Sequence, residues 1–233
     1  IDTGFRREEC REALFAGLRA LGSSPDRLNI LLTHLHSDHT GLAREAAGVD
    51  SRIYISGTDL AILKDGFTPE RPLRLAEQFR AGGFPEDEMK KTQALNPAVR
   101  YKLDQVDDRF VPIEAGWKYT VGDYTLEMIS VPGHTPGCLA LLLEEADAPP
   151  TVLAGDAVKN LAELATGRMP MVTLPEAAAA SIRKIRRQAA VVVPGHDRIL
   201  HVFPDRIEAA EGSPLNLVYA AGCVPPGSSD RVA

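Results

Sequence analysis

The segment Thr33-His34-Leu35-His36-Ser37-Asp38-His39-Thr40-Gly41 follows a largely apolar stretch, 28–32, and constrains the chain more than any other feature. It holds three of the six histidines in the 233-residue sequence, with an aspartate among them, inside positions 34–39. In extended backbone, residues i and i+2 project to the same side, so His34 and His36 share a face. Asp38 and His39 follow where a turn can swing them back toward the same region. Imidazole and carboxylate are the donors that zinc and other first-row divalent metals prefer. One ion cannot comfortably take all four groups from so short a segment, whereas two adjacent ions can. The plain alternative is a solvated polar loop after a strand, and H-x-H-x-D-H spacing argues against it.

Composition narrows the classes further. With 233 residues and 44% hydrophobic content, the chain can bury one large core, and a single domain over 1–233 is the default. The net charge of −6 comes from acids and bases interspersed along the chain, which leaves no electrostatic footprint for nucleic acid or an anionic membrane. Neither a transmembrane-length apolar run nor a signal-peptide pattern is present. Cys10, Cys138 and Cys223 are few and far apart, which suits reduced thiols in a cytoplasmic protein better than a disulfide framework. Each cysteine reads best as a small apolar core residue.

Along the chain, Arg6 to Leu21 has the pattern of an amphipathic helix, with Leu14, Gly17, Leu18 and Leu21 on one face and Gly22 beyond its end. A turn at Ser24-Pro25-Asp26 precedes a buried strand over Asn29–Thr33. A short helix over Gly41–Ala47 and a strand over Arg52–Ser56 complete a βαβ alternation. The region 58–112 reads as a helical insertion, with helices over Leu73–Ala81 and Glu86–Leu95. It is either a cap on a substrate groove, carrying Phe67, Phe79, Phe84, Met89 and Tyr101, or decorative helical packing or a homodimer surface. Trp117–Val121 and Tyr124–Val131 form a hairpin about Gly122-Asp123. Strands over Cys138–Glu144, Thr151–Gly155 and Ala190–Val193 follow, with a helix over Pro175–Gln188 that starts on proline and ends on basic residues. Arg183, Lys184, Arg186 and Arg187 read as its solvated end. Pro204–Glu211 reads as a helix and Pro225–Ser229 as disordered tail.

Three more donor-type residues end apolar strands. His134 sits in Pro132-Gly133-His134-Thr135-Pro136-Gly137, on a stiff and tightly turned backbone. Asp156 follows Gly155 at the end of an apolar strand, a poor place for ordinary surface decoration. His196 is delivered by Pro194-Gly195-His196-Asp197 in the manner of His134. Four strand ends thus deliver donor-type side chains, at 34–39, 134, 156 and 196, and in one sheet whose strands share direction their carboxyl ends line one edge.

These motifs resemble the signature of the metallo-β-lactamase superfamily, whose members have an αββα sandwich and usually two metals. The resemblance extends from Asp2 in Ile1-Asp2-Thr3-Gly4, which looks like the family's Asp-Thr-Gly turn, to about Asp197, apart from the insertion. The strands that normally precede this turn in the family have no counterpart in this sequence, so either the sequence is a trimmed piece or the first sheet is built differently. The resemblance implies that His34, His36 and His134 bind one metal, that Asp38, His39 and His196 bind a second, and that Asp156 bridges. Two zinc ions are the expected cofactors, with iron or manganese as substitutes. The implied activity is hydrolysis of a small carboxylic ester, lactone or thioester by a metal-bridged hydroxide, with Asp38 also able to receive and return a proton. Asp38 and Asp156 are thus the expected catalytic carboxylates.

Departures from particular branches sharpen this expectation. The best-known β-lactamases carry cysteine where Asp156 stands, so penicillin-type hydrolysis is not expected. Homoserine-lactone hydrolases typically carry a tyrosine shortly after the bridging aspartate, where this chain has Ala157-Val158-Lys159-Asn160. Lys159 is a candidate for orienting a substrate oxygen, with an ion-paired lysine as the alternative. His201 is a second candidate near the groove, with a structural role as the stronger reading. Competing activities are a phosphodiesterase on the same metals, an iron-dependent oxidoreductase, and a non-catalytic scaffold that retained the fold.

Overall fold

A computed structural model gives the fold for residues 1–66, 77, 81, 83, 85, 91, 95–145, 148–170, 172 and 174–210, and the backbone of 218–220. Packing divides the chain into two compact units, Ile1–Ile113 and Glu114–Ala233.

The first unit opens with α1 (Glu8–Ala20), which ends where Gly22 adopts φ +66° and donates its amide to the Arg19 carbonyl at 3.0 Å. Of the apolar face expected on α1, Leu14 packs against the core, whereas Leu21 is exposed. A 3-10 turn (Pro25–Arg27) leads into β1 (Ile30–Leu31), then α2 (Ser37–Thr40), α3 (Ala43–Ala46), β2 (Ile53–Ser56) and α4 (Gly57–Asp65). After α5 (Pro97–Arg100) comes β3 (Phe110–Ile113). The three strands form a parallel sheet in the order β1-β2-β3. Its core includes Ile30, Leu32, Ile53, Ile55, Leu60 and Leu103, all nearly inaccessible to solvent. The region expected to be an insertion therefore contributes to the scaffold at both ends. At its start α4 packs on β2 and β3, with Leu60 buried, and at its end Phe110–Ile113 is a strand paired to β2. The helices expected over Leu73–Ala81 and Glu86–Leu95, with Phe67, Phe79, Phe84 and Met89, fall largely outside the described residues.

The second unit begins with β4 (Lys118–Val121) and β5 (Tyr124–Ser130), the expected hairpin. Next come β6 (Leu139–Leu143), β7 (Thr151–Gly155), α6 (Leu161–Thr166), α7 (Pro175–Gln188), β8 (Val191–Pro194), β9 (Leu200–Val202), β10 (Arg206–Ala209) and β11 (Val218–Ala220). One sheet orders them β11-β10-β9-β8-β7-β6-β5-β4. Neighbours are antiparallel except β7 and β8, which are parallel. Because β5, β6 and β7 alternate in direction, β5 runs the same way as β7 and β8. Helix α7 places Ala178, Ser181, Ile182 and Ile185 at helical spacing on one buried face. That stripe joins Val152, Ala154, Leu164, Val192 and Leu200 in the core, and Cys138 takes a core place as expected.

Two expectations are corrected here. Residues 206–209 form a strand, not part of a helix over Pro204–Glu211. Ile207 is fully buried opposite Val202 while its neighbours are half-covered, which is a period of two. The strands that precede the donor residues also do not share one sheet, since β1 belongs to the three-stranded sheet and β5, β7 and β8 to the other. Cys223 and Pro225–Ser229 lie outside the described residues. Among the described residues, no helix is long and apolar enough to cross a membrane.

Candidate metal centre

In the first unit the backbone leaves β1 at Leu31 and turns through His36 into α2, so that Asp38 and His39 fall on its single turn. The amides of His39 and Thr40 both donate to the His36 carbonyl, at 3.0 and 2.9 Å, which folds the segment back on itself. The imidazole of His34 lies with its centroid 4.8 Å from that of His36 and 4.1 Å from that of His39. The Asp38 carboxylate is 3.7 Å from His39 Nε2. The four donor-type side chains are thus gathered at one point of the loop. His34 is wholly buried and His39 nearly so, whereas His36 and Asp38 are partly open.

Two further carboxylates, neither singled out from sequence as a working group, hold this loop. Asp2 accepts the Thr33 amide on Oδ1 at 2.9 Å and the Thr33 hydroxyl on Oδ2 at 2.9 Å, and Oδ2 also lies 2.8 Å from His39 Nδ1. Thr33 Oγ1 in turn is 3.1 Å from His34 Nδ1. An ionised carboxylate accepts, so Asp2 fixes the His39 ring through Nδ1 and leaves Nε2 on the side of Asp38. Asp59, fully buried on α4, accepts the Leu35 amide at 3.1 Å, between two donor histidines in the sequence. Its own amide donates to the Ser56 hydroxyl at 3.1 Å, which caps α4. The sequence signal for Asp2 was its place before Thr3-Gly4. For Asp59 it was only a Ser-x-x-Asp cap, which says nothing about a contact with Leu35.

In the second unit, β5, β7 and β8 end at the same edge and deliver His134, Asp156 and His196 there. The two oxygens of the Asp156 carboxylate face different imidazoles: Oδ2 is 3.1 Å from His134 Nε2, and Oδ1 is 3.1 Å from His196 Nε2. The loops are laced together by backbone bonds, Gly195 amide to Val158 carbonyl and His196 amide to Lys159 carbonyl, both at 3.0 Å. Gly195 is required by close approach, because a Cβ at that position would be driven into Asp156 Oδ1 and the Gly155 backbone. Gly133 combines φ +148° with the same problem, since a Cβ there would overlap Ala178 of α7. Helix α7 also fixes this loop by donating the Ser181 hydroxyl to the Pro132 carbonyl at 2.7 Å.

The remaining two candidates sit differently. Lys159 directs Nζ to Glu163 Oε1 at 3.3 Å, and the other Glu163 oxygen accepts the Lys159 amide at 2.8 Å. It is the ion-paired lysine of the alternative reading. His201 is exposed on β9, opposite Glu208 in register.

The donor chemistry fits a divalent cation. Imidazole nitrogens and carboxylate oxygens face one another within each cluster, one histidine ring is held by a carboxylate, and another carboxylate offers its two oxygens to two different imidazoles.

Comparison with known proteins agrees. The family model described as "Metallo-beta-lactamase superfamily" matches residues 1–196. An N-acyl homoserine lactonase of Rhizobium radiobacter is 28% identical over 187 residues, covering 77% of this chain and 62% of the relative. An N-acyl homoserine lactonase of a Bacillus species is 26% identical over 200 residues, covering 82% of this chain and 66% of the relative. The chain therefore spans about two thirds or less of the length of these relatives. A metallo-beta-lactamase family protein from Thermus thermophilus superposes with a TM-score of 0.65 at 23% identity, over 86% of this chain and 65% of that one. The fold is thus the mixed α/β fold that the sequence motifs implied.

Proposed function

Since the chain belongs to the metallo-beta-lactamase superfamily, we propose that it is a metal-dependent hydrolase of a small carboxylic ester, lactone or thioester. Lactones head the list, because the similar curated proteins carry the name N-acyl homoserine lactonase. The groups that would hold the zinc ions are His34, His36, Asp38 and His39 of the first unit and His134, Asp156 and His196 of the second, with Asp156 as the carboxylate that would be shared. The observation that carries this reading is the Asp156 carboxylate, which presents one oxygen to His134 and the other to His196 at 3.1 Å each, the disposition a bridging ligand needs.

A bound pair of divalent cations lowers the pKa of water toward neutrality and polarises a carbonyl oxygen. The residues of the chain supply the rest. Asp2 holds the His39 ring, and Asp59 holds the loop backbone at Leu35. Asp38 takes the proton released when water attacks the acyl carbon and returns it to the departing oxygen or sulfur. No tyrosine stands in the four positions after Asp156, where Lys159 pairs with Glu163.

Elemental analysis of the purified chain, together with a panel of chromogenic esters, lactones, thioesters and bis-phosphoesters, tests the proposal. Two zincs per chain and turnover of the acyl substrates are expected. Turnover of the bis-phosphoester alone would replace the substrate class, and bound iron with oxygen consumption would replace hydrolysis.

A further inference from the structure

Helix α7 carries Arg183, Arg186 and Arg187 at helical spacing, so Arg183 is a surface neighbour of both of the others. Like charges placed in this way oppose a helix slightly unless a counter-charge joins them. The helix dipole favours cations in the last turn, where Arg186 and Arg187 lie, but its effect fades before Arg183. Arg186 donates to the Ala165 carbonyl at 3.3 Å. Arg183 and Arg187 are exposed and meet no carboxylate among the described residues, in a chain whose net charge is −6. The three arginines share a groove of about 300 Å³ with Val202, at the end of β9, and with Phe203 and Pro204 of the turn that follows. Arg206, bonded to Glu208 and Asp205, sets its guanidinium 4.2 Å from the Phe203 ring centroid. Phe203 nevertheless stays 36% exposed.

We infer that this groove binds a small organic phosphate bearing a flat ring, the chemistry of a mononucleotide, with the phosphate on Arg183 and Arg187 and the ring against Phe203. Guanidinium forks match phosphate oxygens two at a time, and an aromatic face already backed by a cation accepts a stacked ring. The volume lies at the lower end of small-molecule sites, roughly 300–1,000 Å³, which suits one nucleotide and not a stretch of nucleic acid. The groove is also remote from the donor residues of its own unit. Helix α7 begins where the Leu174 amide donates to the Gly133 carbonyl, next to His134, and its 14 residues span roughly 21 Å. The Val202 amide donates to the Ala190 carbonyl at 2.8 Å, which puts the groove by the start of β8, whereas His196 follows its end. This site is therefore independent of the hydrolase reading.

The test is calorimetric titration of the metal-replete chain with adenosine monophosphate, adenosine and inorganic phosphate. Adenosine monophosphate is expected to bind, and to bind more weakly as salt is raised. Adenosine and phosphate, each keeping only part of the contacts, are expected to bind at least about tenfold more weakly. In the double variant Arg183→Gln, Arg187→Gln, affinity for the nucleotide falls at least about tenfold, with melting temperature and metal content at the parent values. Phe203→Leu weakens the nucleotide about fivefold or more and leaves phosphate binding unchanged. Asp156→Ala, altered at the donor cluster, is expected to bind the nucleotide with parent affinity, which separates the groove from any metal-bound phosphate. No binding of the nucleotide, equal affinity in the parent and the double arginine variant, or loss of binding in Asp156→Ala each overturns the inference. So does a nucleotide affinity no higher than that for phosphate.

Discussion

Asp2 Oδ2 lies 2.8 Å from His39 Nδ1, while Oδ1 of the same carboxylate accepts the Thr33 amide at 2.9 Å. One side chain near the start of the chain thus fixes both the orientation of a donor ring and the backbone entering the donor loop. Groups that hold a ligand in place in this way typically carry a 10- to 100-fold effect on metal affinity. Asp2→Ala is expected to weaken zinc binding by about 10- to 100-fold, read by competition with a chromogenic chelator. An unchanged affinity would show that His39 keeps its orientation without this contact.

Asp156→Ala removes the carboxylate that faces both His134 and His196. The expected outcome is loss of turnover and of most of the second metal, with circular dichroism unchanged. Retained activity in that variant would refute the bridging role.

Gly195→Ala tests the same point from the backbone. A methyl group there meets Asp156 Oδ1 and the Gly155 backbone, so the carboxylate or one of the loops must move. The expected cost is about 1–3 kcal/mol of stability, accompanied by fewer than two metals per chain by elemental analysis. Equal stability and full metal content would mean that the two loops part easily.

Asp107 supports a prediction independent of any metal. It accepts from Arg109 Nη2 at 2.8 Å and from Arg44 Nε at 2.7 Å, and Arg109 Nη1 also donates to the Ala47 carbonyl at 2.7 Å. These guanidinium bonds, that of Arg109 foremost, hold its carboxyl down from the ordinary 3.8 to about 2. A carboxylate depressed in the folded state stabilises it fully above the unfolded value and loses that contribution as pH falls through the folded one. Asp107→Asn is therefore expected to cost about 1–3 kcal/mol at pH 7. Urea melts at a series of pH values should show the gap to the parent closing between about pH 4 and pH 2. A gap that stays constant over that window would remove Asp107 from the acid response.

The clustering of the donor-type residues was legible because each follows a short apolar strand, and because the spacing of His34, His36, Asp38 and His39 has few other uses. The structure gathers those four on one loop of the first unit, and His134, Asp156 and His196 along one sheet edge of the second, where Lys159 is held by Glu163. Sheet membership was not legible, since β1 and β7 carry the same local apolar pattern yet belong to different sheets. Residues 206–209 were misread because one buried Ile207 between charged neighbours fits a helix or a strand equally well until its partner Val202 is known. Asp2 and Asp59 escaped for a related reason. Their importance lies in hydrogen bonds to Thr33, His39 and Leu35, across sequence distances no local pattern records.

The parallel pairing of β7 with β8 has a consequence for which donor-type side chains can meet locally. Asp156 and His196 meet only after α6 and α7 have been laid down and β8 has zipped alongside β7. The group from His34 to His39 needs no such long-range closure, being contiguous in the polypeptide. The four donor-type side chains at 34–39 therefore share one short stretch of chain, whereas the Asp156–His196 contact depends on the crossover between two parallel strands.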